Sequence, residues 1–198
     1  RHRVHVLLFG TRLTNVTRSE HGVAELKENF LPNAIAVDRA RDMFEKQYFD
    51  HVSPTGEKAA DIAQKVGYRY KRLGENIAAG AFITNQKIIN GWMQSPGHRK
   101  NLLSGQFEEI GVAVVKGRLE GDETWIAVQV FGRQSPAVRE EFAYGDVSKW
   151  VSRYGIVERI SRKSGDDDAY EDGRTSRRKG YRTRVVEKPG VSPAVLFH

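Results

Sequence analysis

Two apolar runs in the middle of the chain, EIGVAVVKG (109–117) and ETWIAVQVFG (123–132), are joined only by a polar, glycine-bearing connection. The first is a β-branched run. The second alternates Trp125, Ala127, Gln129 and Phe131 against Ile126, Val128 and Val130, the period of two expected of a strand. The intervening KGRLEGDE reads as a hairpin connection with its own glycines. An antiparallel hairpin is therefore the expected end of the folded unit.

Helical patterns come before it. In LPNAIAVDRARDMFEKQYFDH, Val37, Ala40, Phe44 and Tyr48 recur at spacings of three and four with charges opposite. This predicts a helix with Pro32 in its first turn, ending near Phe49. HVSPTG then places Pro54 and Gly56 at the second and fourth positions of a turn. EKAADIAQKVGY predicts a second helix through Ala60, Ile62, Ala63 and Val66 that stops at Gly67. RLGENIAAG reads as a loop or short irregular piece, and NQKIINGWMQS returns to helical spacing. Helices followed by an antiparallel hairpin give an α+β domain closing around Arg133, with boundaries at 1–135.

Beyond FGRQSP the character changes. Residues 136–160 keep some apolar content and are expected to pack as an appendage. Residues 161–198 run from an acidic block into a basic one and are expected to stay solvated and flexible, because they bury too little to offset ordering entropy. The chain has no cysteine. This excludes disulfide staples, thiol catalysis and cysteine-based metal centres, and leaves the redox compartment open. The net charge of +7 and pI near 9.7 favour anionic partners. VHVLLFG, near the start, is too short to span a bilayer, and the first residue, Arg1, is that expected of a trimmed or mature product.

No H-E-x-x-H, G-x-S-x-G, phosphate-cradling or dinucleotide-binding glycine motif is present. Three polar residues stand out in Gly- or Pro-rich segments between apolar elements: His51, Glu75 (beside Asn76) and His98. Two imidazoles and a carboxylate from separate segments can form a metal site or an acid–base set. The plainer reading is that each satisfies backbone groups at the end of an element. Ser95 and His98 could form a nucleophile–base pair, but Ser-Pro-Gly-His fits a helix start better, with Ser95 at the N-cap and Pro96 at the first helical position.

Taken together, YFDHVSPTG, GYRYKRLGENIAAG, GWMQSPGHRKNLL, EEIGVAVV and WIAVQVFG resemble the CAP superfamily of cysteine-rich secretory, antigen 5 and pathogenesis-related proteins, in its cysteine-free bacterial branch. The segment from Leu13 to Phe44 is similar to the family's opening Asn-x-x-Arg helix and the helix after it. The resemblance implies an α-β-α sandwich with a central antiparallel sheet and a surface cavity lined by His51, Glu75 and His98, with Asn76 and Ser95 nearby. It also implies His51 and His98 as ligands of a divalent metal, zinc first, held weakly. The family's second glutamate is missing: Met93, Gln94 and Ser95 follow Trp92, and Glu57 does not fall where the motif would put it.

The expected function is binding, by a monomer outside the cytoplasm or in the cell envelope, of a small apolar or amphipathic ligand or an anionic envelope component. The alternative is a metal-assisted hydrolase using His51, His98 and Glu75. A third reading is polyanion binding through SRRKGYRTR, although no nucleic-acid module accompanies that segment and no specific nucleic acid is expected. Membrane attachment is left open.

Overall fold

The computed structural model describes residues 3–5, 8–80, 84–136 and 196–197. The expected appendage and tail lie outside these, apart from Pro136 and residues 196–197. In chain order the elements are β1 (Arg3–His5), α1 (Leu8–Glu20), β2 (Lys27–Glu28), α2 (Phe30–Glu45), α3 (Ala59–Lys65) and β3 (Tyr70–Gly80). They continue with α4 (Asn85–Gln94), α5 (Pro96–Leu102), β4 (Glu109–Leu119), β5 (Asp122–Gln134) and β6 (Leu196–Phe197). One sheet runs in the order β1-β4-β5-β3-β6. Its pairings are antiparallel except for β2, which lies parallel to β4.

The β4–β5 hairpin is tighter than its sequence suggests. Leu119 pairs with Asp122, so only Glu120 and Gly121 form the turn. Both have positive φ (52° and 92°), which matches the right-handed twist of the flanking strands. Most of KGRLEGDE is therefore strand. Residues 126–132 of β5 are buried without interruption, because helices cover both faces of the sheet. Ile126, Val128 and Val130 pack toward α2 and α3, while Ala127 and Phe131 pack with Trp92 and Leu102 of α4 and α5. The sandwich has a core on each side of its sheet.

Helix α2 docks on β4 at a point that tolerates no side chain. A Cβ at Gly111 would lie 2.0 Å from the carbonyl carbon of Pro32. Polar groups fix the register. Asn29 caps α2 by accepting from Leu31 N–H (2.9 Å), and its own N–H donates to Ile110 O (3.0 Å). Asn33 Oδ1 accepts from Val112 N–H (2.8 Å). The helix ends at Glu45, not near Phe49. Gln47 turns the chain with φ of 53° and ties it to the hairpin through Arg118 O and Glu120 N–H.

Residues 72–80, expected to be a loop, are strand. From Leu73 to Gly80 every residue pairs with β5. Glycine, alanine and asparagine are poor strand formers, but strand preference is largely set by packing context, and here a buried partner strand supplies it. The outer edge of β3 is covered as well. Asn101 Nδ2 donates to Glu75 O (3.2 Å), Trp92 Nε1 donates to Ile77 O (3.2 Å), and β6 pairs at Ala78 and Ala79. In α1, Asn15 brackets Leu26 through its N–H and O. The buried Arg18 donates to Ala24 O, Leu102 O and Ser104 O. Asn-x-x-Arg is thus a clamp that holds the first helix to the loops beside it.

Candidate functional site

Three segments build the site. The first is the loop after α2, where Ser53 O accepts from Gly56 N–H (2.8 Å) in the turn expected at Pro54 and Gly56. Ser53 Oγ accepts from Glu57 N–H (2.9 Å). That turn fixes the height of His51. The second is β3, whose alternation sends Glu75 toward α2 and Asn76 toward the opposite helices. The third is the α4–α5 junction, which carries His98.

His51 Nδ1–H donates to Glu75 Oε1 (2.7 Å), with 42% of the His51 side chain exposed and only 7% of Glu75. Glu75 Oε2 accepts from Arg39 Nε (2.9 Å), and the Arg39 side chain is fully buried. Arg39 also donates to Tyr48 Oη (2.7 Å) and Asp50 O (2.8 Å). Tyr48 donates onward to Asp42 (2.6 Å). Burial works against the charge on Arg39, but Glu75 and Tyr48 outweigh it and hold the guanidinium above its ordinary pKa. Burial, then the bond to Asp42, pushes the Tyr48 phenol up, so it stays a donor. The result is an imidazole at the surface, pinned by a carboxylate whose charge is balanced from beneath.

His98 belongs to the other face. It is 6% exposed, tilts against Trp92 at 6.5 Å between ring centres, and accepts at its carbonyl from Asn76 Nδ2 (3.3 Å). Asn76 Nδ2 also donates to Gln129 Oε1 (3.3 Å), and Asn76 Oδ1 accepts from Asn101 (2.9 Å). Gln129 reaches Thr14 (2.7 Å). Among the expected residues, the structure thus joins His51 to Glu75 directly and draws Asn76 with the backbone of His98 into a separate buried seam. Ser95 does stand at the N-cap of α5 with Pro96 at the first helical position, but its side chain makes no capping hydrogen bond. The residue also closes α4, its N–H donating to Gly91 O and Trp92 O, so two helices share its backbone. Glu57 pairs with Lys46 and Lys65 and takes no part.

The arrangement does not fit a metal ion held by several protein ligands. Among the described residues no group of three or more His, Cys, Asp or Glu side chains is placed to hold one. Both Glu75 oxygens are engaged, one by a buried cation. Sequence reasoning missed Arg39, Tyr48, Asn101 and Gln129. Arg39 was open to detection, because it sits in the stripe of Ala36, Ala40 and Met43 where an apolar residue is expected.

Residues 11–131 match the cysteine-rich secretory protein (CAP) family. The chain belongs to the CAP family. Within it, the chain is 40% identical over 104 residues to the protein YkwD of Bacillus subtilis (strain 168), covering 52% of this chain and 40% of YkwD. It is 35% identical over 102 residues to the membrane protein YlbC of the same organism, covering 52% of this chain and 29% of YlbC. The chain thus spans less than half of either relative. An extracellular protein containing an SCP domain from Bacillus anthracis superposes with a TM-score of 0.55 at 33% identity, over 64% of this chain and 39% of that one. An outer surface protein of Borrelia burgdorferi has the same fold, with a TM-score of 0.56 at 18% identity over 68% of this chain and all of its own. For this CAP domain the α-β-α architecture is as the resemblance implied.

Proposed function

We infer that this CAP domain is an extracytoplasmic or envelope-facing binding module whose ligand meets His51. The observation that carries the reading is the His51–Glu75–Arg39 arrangement: a part-exposed imidazole held in one orientation by buried charge. A ring fixed in this way loses little freedom on binding, which favours recognition of a polar group. The ligand is a polar, anionic envelope component. Lys71, Arg72, Arg99 and Lys100 are exposed, and the net charge of +7 draws anions toward the molecule. The void beside Trp92 and Gln129 measures about 10 Å³, room for one water at most, so that seam does not hold an apolar ligand. The relatives described as extracellular, outer-surface or membrane proteins support a site of action outside the cytoplasm.

A second reading, acid–base hydrolysis, is favoured by the 2.7 Å contact between His51 and Glu75, because a carboxylate that orients an imidazole is what a general base needs. NMR of histidine-labelled protein titrated with soluble cell-wall fragments and with anionic lipid vesicles separates the two. Binding predicts a shift of the His51 ring signals, no product, and at least tenfold weaker binding in His51→Ala. Fragment cleavage that stops in His51→Ala would move the assignment to hydrolysis. Binding indifferent to His51 would remove both.

A further inference from the structure

We propose that the Arg39 guanidinium is the resident cation of this site, so that the His51–Glu75 pair meets its ligand without a divalent metal. The proposal deepens the binding reading above and rests on it only for the word ligand.

A metal held at Glu75 needs a free carboxylate lone pair and a net negative set of donors. Each Glu75 oxygen keeps a second lone pair, but its charge is already matched by Arg39. One oxygen takes the His51 N–H at 2.7 Å and the other the Arg39 N–H at 2.9 Å. Arg39 cannot swing aside to make room. Its side chain is fully buried and fixed by Tyr48 Oη, Asp50 O and the face of the Tyr48 ring at 5.9 Å. A dication near Glu75 would therefore sit beside a fixed positive charge in a medium that screens poorly. Neighbouring carboxylates do not reverse the balance. Asp42 answers Lys46 (2.7 Å) and Tyr48, Glu57 answers Lys46 and Lys65, and Asp50 Oδ1 accepts from Val52 N–H (3.1 Å). Each of these carboxylates, Glu75 included, already has a donor of this chain, and for all but Asp50 that donor is a basic side chain. The arrangement also accounts for how the site does without the second glutamate. A metal there would call for added negative charge, whereas a single guanidinium is balanced by Glu75 alone.

The test uses zinc as the probe and the whole chain. After equilibrium dialysis against ten equivalents of zinc and then zinc-free buffer, elemental analysis of the wild-type chain is expected to find less than a tenth of an equivalent. The His51 ring signals are expected to be unmoved by zinc at one equivalent. One equivalent retained by the wild type and lost in His51→Ala would overturn the proposal, whatever the fate of other variants. Arg39→Met, checked for folding by circular dichroism, is expected to bind zinc at least tenfold more tightly than the wild type. A folded Arg39→Met with unchanged zinc affinity would also overturn it. Zinc uptake and the response to cell-wall fragments are read separately, so either reading can fail while the other stands.

Discussion

On one face of β3, Glu75 joins His51, Arg39, Tyr48 and Asp42 in a charged chain that opens to solvent at the imidazole. On the other face its neighbour Asn76 joins Asn101, Gln129 and Thr14 in a neutral chain, buried at all but the part-buried Asn101. The two start from consecutive residues of one strand. The neutral network carries no charge and ties α5 and α1 to the sheet, so its work is cohesion. The charged one has an exposed end and a buried counter-charge, the combination that holds a functional group in place. Adjacent positions on a strand can serve unrelated purposes because the pleat sends them to opposite layers.

Glu75→Gln should break that contrast most severely. It keeps the shape but removes the counter-charge from a fully buried guanidinium. Breaking a buried pair from one side costs about 3 kcal/mol or more, and denaturant melts should show a loss of that size. Arg39→Met added to Glu75→Gln should recover part of it, giving a coupling of about 1 kcal/mol or more in a double-mutant cycle. If the two losses simply add, the charged chain is not a unit. Asn76→Ala should cost less, about 2 kcal/mol, because the partners left behind are neutral amides and a carbonyl. Its loss should not change between low and high salt. A salt-sensitive Asn76→Ala would mean that the two faces are electrically coupled.

How far the sequence reveals these networks differs between the faces. Helices α2, α3 and α4 were legible because their apolar faces repeat at helical spacing, and the hairpin because one strand is a β-branched run and the other alternates. The last paired residue of β5 is Gln134. β3 was hidden because its composition is that of a loop, and only pairing with β5 makes it a strand. That error placed Glu75 and Asn76 in one loop, where both could face one cavity, when the pleat in fact parts them. The same limit applies to His98. Its position at the start of α5 was readable, but the side of the sheet on which α5 lies was not. Tyr48 was read as part of the apolar face of α2, yet the helix stops before it and its phenol bridges Arg39 and Asp42.

His51→Ala should have the smallest effect on stability, and this makes it the sharpest probe of what the charged chain is for. The ring is 42% exposed, so its removal uncovers little apolar area. Glu75 keeps its bond to Arg39 at 2.9 Å, so no buried charge is orphaned. Hydrogen bonds at such part-exposed sites contribute roughly 0.5–1.5 kcal/mol, and the melt should move by no more than about 1 kcal/mol. A loss near that of Glu75→Gln would mean that the imidazole is a structural brace, and that Glu75 and Arg39 are arranged to hold the fold together. A small loss means that the fold does not depend on the group all this buried charge is holding, and the reason for holding it then lies in what His51 meets at the surface.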